Sequence, residues 1–326
     1  MEVTITGQVF EKASGTALRT PKVALHKLGA VGELATVGDQ NGRFSFSSLE
    51  AGEYSLSAYD DNFVFWHQRL SLNYGQNLSG VHVALSRGGR IAGRLLDEFG
   101  RPPRKGLLTL LRQGERHGRF GIINVSGDHK AAEDGRFQTP PLASGAYLLR
   151  FAGILEPPPS LDTPPQNGGL TPDRIFDFLY PDAHDITGAV SVAVEEGQAI
   201  SDIEVRILRP TRYRVEGRVV GVLPSERDYI SVQFRRDFGT LDQVGWAGGA
   251  AIQPDGKFEG LEQPGRYTAE VCQFAPPEPS GRTYLIQSFG STTFTVGSED
   301  LFGVEIQVGS DVQEVGRVSN DLTPFR

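Results

Sequence analysis

The chain has 326 residues, 38% of them hydrophobic and 22% charged, with a formal net charge of −8. That is enough apolar material for packed cores and more than one domain, so a wholly disordered chain is excluded; the acidic balance opposes a nucleic-acid footprint, and no apolar run of about 18 residues exists to span a bilayer. With 40 Gly and 20 Pro the turns are too dense for long helices and suit many short strands. The chain opens directly on an alternating strand, Met1-Glu2-Val3-Thr4-Ile5-Thr6, with no basic and apolar leader in view, so no signal peptide is visible.

One pattern then recurs three times. Each copy opens on an apolar strand interrupted by glycine: Ile5-Thr6-Gly7-Gln8-Val9, Ile91-Ala92-Gly93-Arg94-Leu95 and Val215-Glu216-Gly217-Arg218-Val219. The glycine marks a bulge or a close backbone approach. Next comes a turn and an aromatic strand: Asn41-Gly42-Arg43-Phe44, Asp134-Gly135-Arg136-Phe137 and Asp255-Gly256-Lys257-Phe258. Asn-Gly and Asp-Gly tolerate positive φ and so predict hairpin turns. A Gly-x-Tyr strand start follows seven or eight residues after the Phe, at Gly52-Glu53-Tyr54, Gly145-Ala146-Tyr147 and Gly265-Arg266-Tyr267, and leads into strict apolar alternation. Each copy closes on a glycine and a last strand, ending Val81-His82-Val83, Ile203-Glu204-Val205 and Val304-Glu305-Ile306.

The expected fold class is therefore all-β: three tandem antiparallel sandwiches over 1–87, 88–210 and 211–309, with an irregular tail at 310–326. The linkers, near Ser86-Arg87-Gly88-Gly89-Arg90 and Leu208-Arg209-Pro210-Thr211, are too short for free swinging. The second copy carries a Pro-rich insertion at 156–172 that reads as an exposed loop. After it, Thr171-Pro172-Asp173 has the form of an N-cap with Pro at the first helical position, and Ile175, Phe176 and Leu179 share one face of a short predicted helical turn.

These motifs, above all Asp39-Gln40-Asn41-Gly42-Arg43-Phe44-Ser45-Phe46 with Leu49-Glu50-Ala51-Gly52-Glu53-Tyr54, resemble the carboxypeptidase regulatory-like domains. These are immunoglobulin-like, transthyretin-like sandwiches found in tandem in bacterial envelope and secreted proteins and grouped with carbohydrate-binding-like folds. The resemblance covers nearly the whole chain and implies a non-catalytic structural, spacer or interaction role at the periplasm, cell surface or outside the cell, with polysaccharide or envelope proteins as partners. The abrupt start without a visible signal also allows an accessory region of a longer secreted enzyme or transporter. The collagen-adhesin B-type modules are similar, but the opening strands Val3 to Phe10, Ile91 to Leu96 and Val215 to Val220 hold no lysine, so their Lys-to-Asn crosslink is not expected.

The residues carry few signs of chemistry. The lone Cys272 can close no intrachain disulfide and reads as a small apolar strand residue. The histidines His26, His67, His82, His117, His129 and His184 fall in no metal-ligand spacing and read as solvated. The turns Asp39-Gln40-Asn41-Gly42 and Asp60-Asp61-Asn62 lack the downstream Glu of a calcium loop. Neither a Gly-x-Ser-x-Gly elbow nor a phosphate loop occurs, so no enzyme, metal or cofactor is expected. Arginines at Arg112 to Arg119, Arg206 to Arg218 and Arg235-Arg236 read as solvated faces and interdomain ion pairs. The binding hint lies in Tyr59-Asp60-Asp61-Asn62-Phe63-Val64-Phe65-Trp66-His67, where alternation predicts Phe63/Phe65 on one face and Val64/Trp66 on the other. Trp66 would be a stacking platform for a sugar, with Tyr59, Asp61 and Asn62 beside it. Trp246, in Gly245-Trp246-Ala247-Gly248-Gly249, is the second candidate, and for both the competing role is a core or interdomain contact.

Overall fold

The structure is a computed structural model and describes residues 3–157, 175–221, 230–242, 247–274 and 285–308. The described chain is all-β. The first repeat supplies β1 (Val3–Glu11), β2 (Lys22–Lys27), β3 (Leu34–Val37), β4 (Arg43–Leu49), β5 (Gly52–Tyr59), β6 (Trp66–Leu72) and β7 (Leu78–Leu85). The second supplies β8 (Arg90–Asp97), β9 (Lys105–Arg116), β10 (Arg119–Asn124), β11 (His129–Lys130), β12 (Arg136–Gln138), β13 (Gly145–Ile154), β14 (Ile175–Leu179), β15 (Val192–Val194) and β16 (Ala199–Ile207). The third supplies β17 (Tyr213–Gly221), β18 (Ile230–Asp237), β19 (Ala247–Ala251), β20 (Lys257–Glu262), β21 (Gly265–Phe274), β22 (Leu285–Val296) and β23 (Leu301–Val308).

The same pair of sheets is built from each repeat. The opening strand sits in the middle of a three-stranded sheet, in the orders β4-β1-β7, β12-β8-β16 and β20-β17-β23. β1 runs antiparallel to β4 and parallel to β7, and β17 relates to β20 and β23 in the same way. The second sheet runs β3-β2-β5-β6 in the first repeat and β19-β18-β21-β22 in the third. In the second repeat it is enlarged to β10-β9-β13-β14, with β11 on β9 and β15 on β13. Inward-facing residues form one core between Val3 and Leu85 and another between Val215 and Val308. By contacts the described chain divides into two compact units, Met1–Arg94 with Gln138–Ala146 and Val192–Ile203, and Leu95–Phe137 with Tyr147–Ser191 and Glu204–Arg326.

The repeated motifs have repeated physical causes. A Cβ on Gly7 would overlap the Phe44 ring and the Val81 carbonyl, and one on Gly217 the Phe258 ring and the Val304 carbonyl. Glycine thus lets the aromatic of the next motif lie across the opening strand, at the point where pairing with the closing strand shifts register. The turn glycines Gly42, Gly135 and Gly256 have φ of 73°, 83° and 86°. Their carbonyls accept from the amides of Val9, Leu95 and Val219, each at 2.9 Å, which ties every turn to its opening strand. The turns are not the predicted hairpins: each carries the chain from one sheet to the other, β3 to β4, β11 to β12 and β19 to β20, because the aromatic strand pairs with the opening strand instead of the strand before the turn. In the Gly-x-Tyr motif, Tyr54 Oη donates to the Glu50 carbonyl at 3.0 Å and Tyr267 Oη to the Gln263 carbonyl at 2.9 Å. The buried phenol is satisfied and the strand entrance is locked to the preceding corner.

One expectation is corrected. Ile175–Leu179 is strand β14 rather than a helical turn, paired antiparallel with β13 through Arg150↔Leu179, Phe151↔Phe178 and Ile154↔Ile175. Phe176, Asp177, Phe178 and Leu179 are all buried, and a short strand covered on both faces shows the same run of apolar residues as a helix turn. Buried Asp177 identifies the strand reading, because its partner Arg150 lies on β13. The Pro-rich stretch from Pro158 onward, Thr171-Pro172-Asp173 and the tail lie outside the described residues.

Candidate functional site

Two places hold the polar and aromatic side chains that a site could use. The first is the segment Tyr59 to His67. Residues 60–65 form a turn and loop, and β6 begins only at Trp66, so the predicted alternation fails there. Phe63 is buried and bridges to Arg87, whereas Phe65 is 59% exposed and stacks on the His67 ring at 6.0 Å. Trp66 is partly buried against the first core, so it is not a free platform; the exposed ring is Phe65. Tyr59 is 40% exposed, with Lys22 Nζ 5.6 Å from its ring centroid. Asp61 and Asn62 are exposed, and Asp61 pairs with Lys22 at 3.9 Å. Trp246 lies outside the described residues.

The backbone of this segment is committed to the first linker. The Gly88 amide donates to the Asn62 carbonyl and the Val64 amide to the Ser86 carbonyl, both at 2.9 Å. Arg90 donates to the Asp61 carbonyl, and Arg87 pairs with Glu11 while its guanidinium lies 5.4 Å from the Phe63 ring centroid. The Arg87 amide reaches Glu196 at 3.1 Å, and a Cβ on Gly88 or Gly89 would overlap Pro141 or Val194. These contacts hold the 60–64 loop and the linker as one piece.

The second place is where β18 meets the second repeat. Alternation along β18 points Val232, Phe234, Arg236 inward, and Phe238 continues the buried stripe beyond the strand. Phe238 enters a cluster with Leu111, Leu148, Leu179 and Ala183. The Ile186 amide donates to its carbonyl at 3.0 Å, the Leu241 amide to the Ile122 carbonyl at 2.7 Å, and the Asn124 amide to Asp242 Oδ2 at 2.7 Å. Residues 237–242 thus cap the outer edge of β10, and Arg116 adds an ion pair to Asp242 at 3.3 Å.

Behind this loop lies a buried polar network. Arg150 clasps Asp177 with two parallel bonds of 2.8 and 2.9 Å. Arg236, 5% exposed, donates through Nη1 to the Asp177 carbonyl at 2.6 Å and Gln263 Oε1 at 3.1 Å, and through Nη2 to the Pro264 carbonyl at 2.7 Å and His184 Nδ1 at 2.9 Å. Its guanidinium lies 5.0 Å from the Phe238 ring centroid. The Ile175 carbonyl takes Gln263 Nε2 at 3.0 Å and Arg212 Nη2 at 3.1 Å, and Arg212 meets Glu262 at 3.6 Å. Burial pushes the Glu262 carboxyl up to about 7, against the pull of Arg212 and Arg236. Burial, and then Arg236, hold His184 below an ordinary histidine.

The sequence places Arg235-Arg236 on a solvated face or in an interdomain ion pair; Arg236 is instead buried, because its position on β18 has the parity of Val232 and Phe234. The signals of this second place are an arginine at core parity in Val232-Gln233-Phe234-Arg235-Arg236-Asp237-Phe238 and an aspartate within Ile175-Phe176-Asp177-Phe178-Leu179. A charge on an apolar stripe implies a buried partner. Chemically the network is made mostly of donors and acceptors that meet one another; Nη1 and Nη2 of Arg236 are engaged, while its buried Nε has no hydrogen-bond partner. Cys272 is fully buried, with burial pushing its thiol up to about 12, so it is a packing residue. Among the described residues, no group of three or more His, Cys, Asp or Glu could hold a metal ion.

No known family profile matches the chain, and no curated protein does. Among solved structures, the Bacillus anthracis TIE protein aligns over 96% of this chain and 51% of its own at 13% identity and a TM-score of 0.25, so this chain spans about half its length. The major pilin subunit BcpA of Bacillus cereus aligns over 95% of this chain and 100% of its own, at 10% identity and a TM-score of 0.24. The minor pilin GBS52 of Streptococcus agalactiae aligns over 69% and 100%, at 13% identity and a TM-score of 0.30. Likeness at these scores carries no functional argument.

Proposed function

We propose that this chain is a non-catalytic structural or interaction protein of three β-sandwich modules, 1–87, 88–210 and 211–309, serving as a spacer in the envelope or secreted fraction of a bacterium. The resemblance of its repeated motifs to regulatory-like domains supports the class and the location. The observation that carries the spacer role is the interlock of the second and third repeats, in which Arg236, Phe238 and Asp242 are all engaged by second-repeat groups. A module joined by a buried cluster and a capped strand edge transmits position, whereas one on a free linker does not. The first linker, bonded along its length, has the same character.

Small-angle scattering of the full chain tests this. A spacer of stiff junctions keeps one radius of gyration between 50 and 500 mM salt, because desolvated pairs are screened little. Salt-dependent swelling would overturn it.

The exposed rings of Phe65 and Tyr59 favour a second reading, a carbohydrate-binding surface with Asp61 and Asn62 at its rim and Trp66 as its partly buried support. Affinity electrophoresis through polysaccharides, with the parent, Phe65→Ala and Trp66→Ala, discriminates. Retardation of the parent that is lost in Phe65→Ala promotes the glycan reading; no retardation directs the search to protein partners.

A further inference from the structure

The network between the second and third repeats contains one contact that depends on a proton. Arg236 Nη2 lies 2.9 Å from His184 Nδ1. A guanidinium has donors only, so Nδ1 must offer its lone pair and the imidazole must be neutral, with its proton on Nε2. Arg236 is buried and its other hydrogen bonds go to the carbonyls of Asp177 and Pro264 and to Gln263, none of which carries a charge. His184 is covered only on the side that meets Arg236 and keeps an open surface, so solvent protons reach it. The charged group facing the ring from another strand is Arg236 on β18; Asp182 and Asp185 flank it in its own turn. Arg236 in turn interacts with Glu262 on β20 and Tyr267 on β21.

We propose that His184 and Arg236 form a proton-sensitive latch: protonation of His184 removes an acceptor from the buried guanidinium, sets a second cation against it, and loosens the third repeat from the second. This rests on the reading of that junction as stiff. No bond is made or broken beyond the proton taken from water and the hydrogen bond given up. The low position of His184 relative to an ordinary histidine agrees, since the fold resists the cation. Glu262 cannot produce the effect, because its raised carboxyl makes the folded form favour protonation, so acid acts through it in the opposite direction.

The test uses the full chain with spin labels at Glu204→Cys and Glu305→Cys, exposed positions on the closing strands β16 and β23. The inter-label distance distribution is expected to be narrow at pH 7.5 and to broaden at pH 5. In a His184→Asn background it stays narrow at both, since the Asn carbonyl can replace Nδ1 as a permanent acceptor. A distribution already broad at pH 7.5 overturns the stiff junction and the latch together. A narrow one unchanged at pH 5, or equal broadening with His184→Asn, overturns the latch alone. Should the variant fail to fold, nitrogen NMR of the parent decides. At pH 6.5, where a free histidine is half protonated, His184 is expected to remain mostly neutral with Nδ1 bare. A protonated Nδ1 at pH 7.5 would refute the proposal.

Discussion

At the residue scale the three copies stand or fall on a few backbone conformations. Gly135 has φ of 83°, and a Cβ there would overlap the Leu95 carbonyl. Gly135→Val is expected to destabilise by about 1–3 kcal/mol, from positive-φ strain and the contact together. An unchanged thermal melt would show that this turn does not bear on the second repeat. Tyr54 tests the corner: its hydroxyl is the donor to the Glu50 carbonyl, so Tyr54→Phe is expected to cost about 1 kcal/mol. Denaturant titration reads the difference as a lower midpoint at constant slope. The turn is legible in the residues themselves, because Asn-Gly and Asp-Gly specify local geometry with short-range sterics, whereas Gly-x-Tyr announces a strand start and not the hydroxyl contact at the corner. The face of the 63–66 segment is not, since Phe63 is drawn inward by its bridge to Arg87, a residue in the linker more than twenty positions away.

At the element scale, β18 and the loop behind it decide how two repeats meet. Phe238 is 1% exposed among residues of the second repeat, so Phe238→Ala is expected to cost about 3–5 kcal/mol. Calorimetry should then resolve separate second- and third-repeat transitions where the parent shows one; a single shifted transition would show that the remaining bonds suffice. β14 makes the complementary point. Its apolar spacing fits a helix turn or a doubly buried strand equally well, and the choice is made by Arg150 on β13, whose charge requires Asp177 beside it. Asp177→Asn leaves that guanidinium buried without a counter-charge, and a loss of about 3–5 kcal/mol is expected, measurable by denaturant titration.

For the whole molecule, stability against pH follows from the buried acid. The Glu262 carboxyl stands at about 7 against an ordinary 4.5, because burial penalises its anion more than Arg212 and Arg236 favour it. The gap corresponds to roughly 3 kcal/mol. Folding favours the neutral acid, so this contribution is complete below pH 4.5 and is lost as pH rises through 7. Glu262→Gln should therefore raise the melting temperature at pH 8 and leave it nearly unchanged near pH 4.5. A lower melting temperature at pH 8 would show that the ionised pair with Arg212 is net stabilising.

The all-β class, the three-fold repeat, its turns and its opening and closing strands were determined by the sequence alone, because they rest on period-two patterning and on glycines whose conformations are local. Helix or strand at Ile175, the inward turn of Phe63, and the joining of the second and third repeats through Arg236, Phe238 and Asp242 were decided only by the tertiary structure. Each depends on a partner remote in the chain: Arg150 for Asp177, Arg87 for Phe63, His184 for Arg236. A sequence displays a residue's own preferences, whereas the burial of a charge is settled by what stands opposite it.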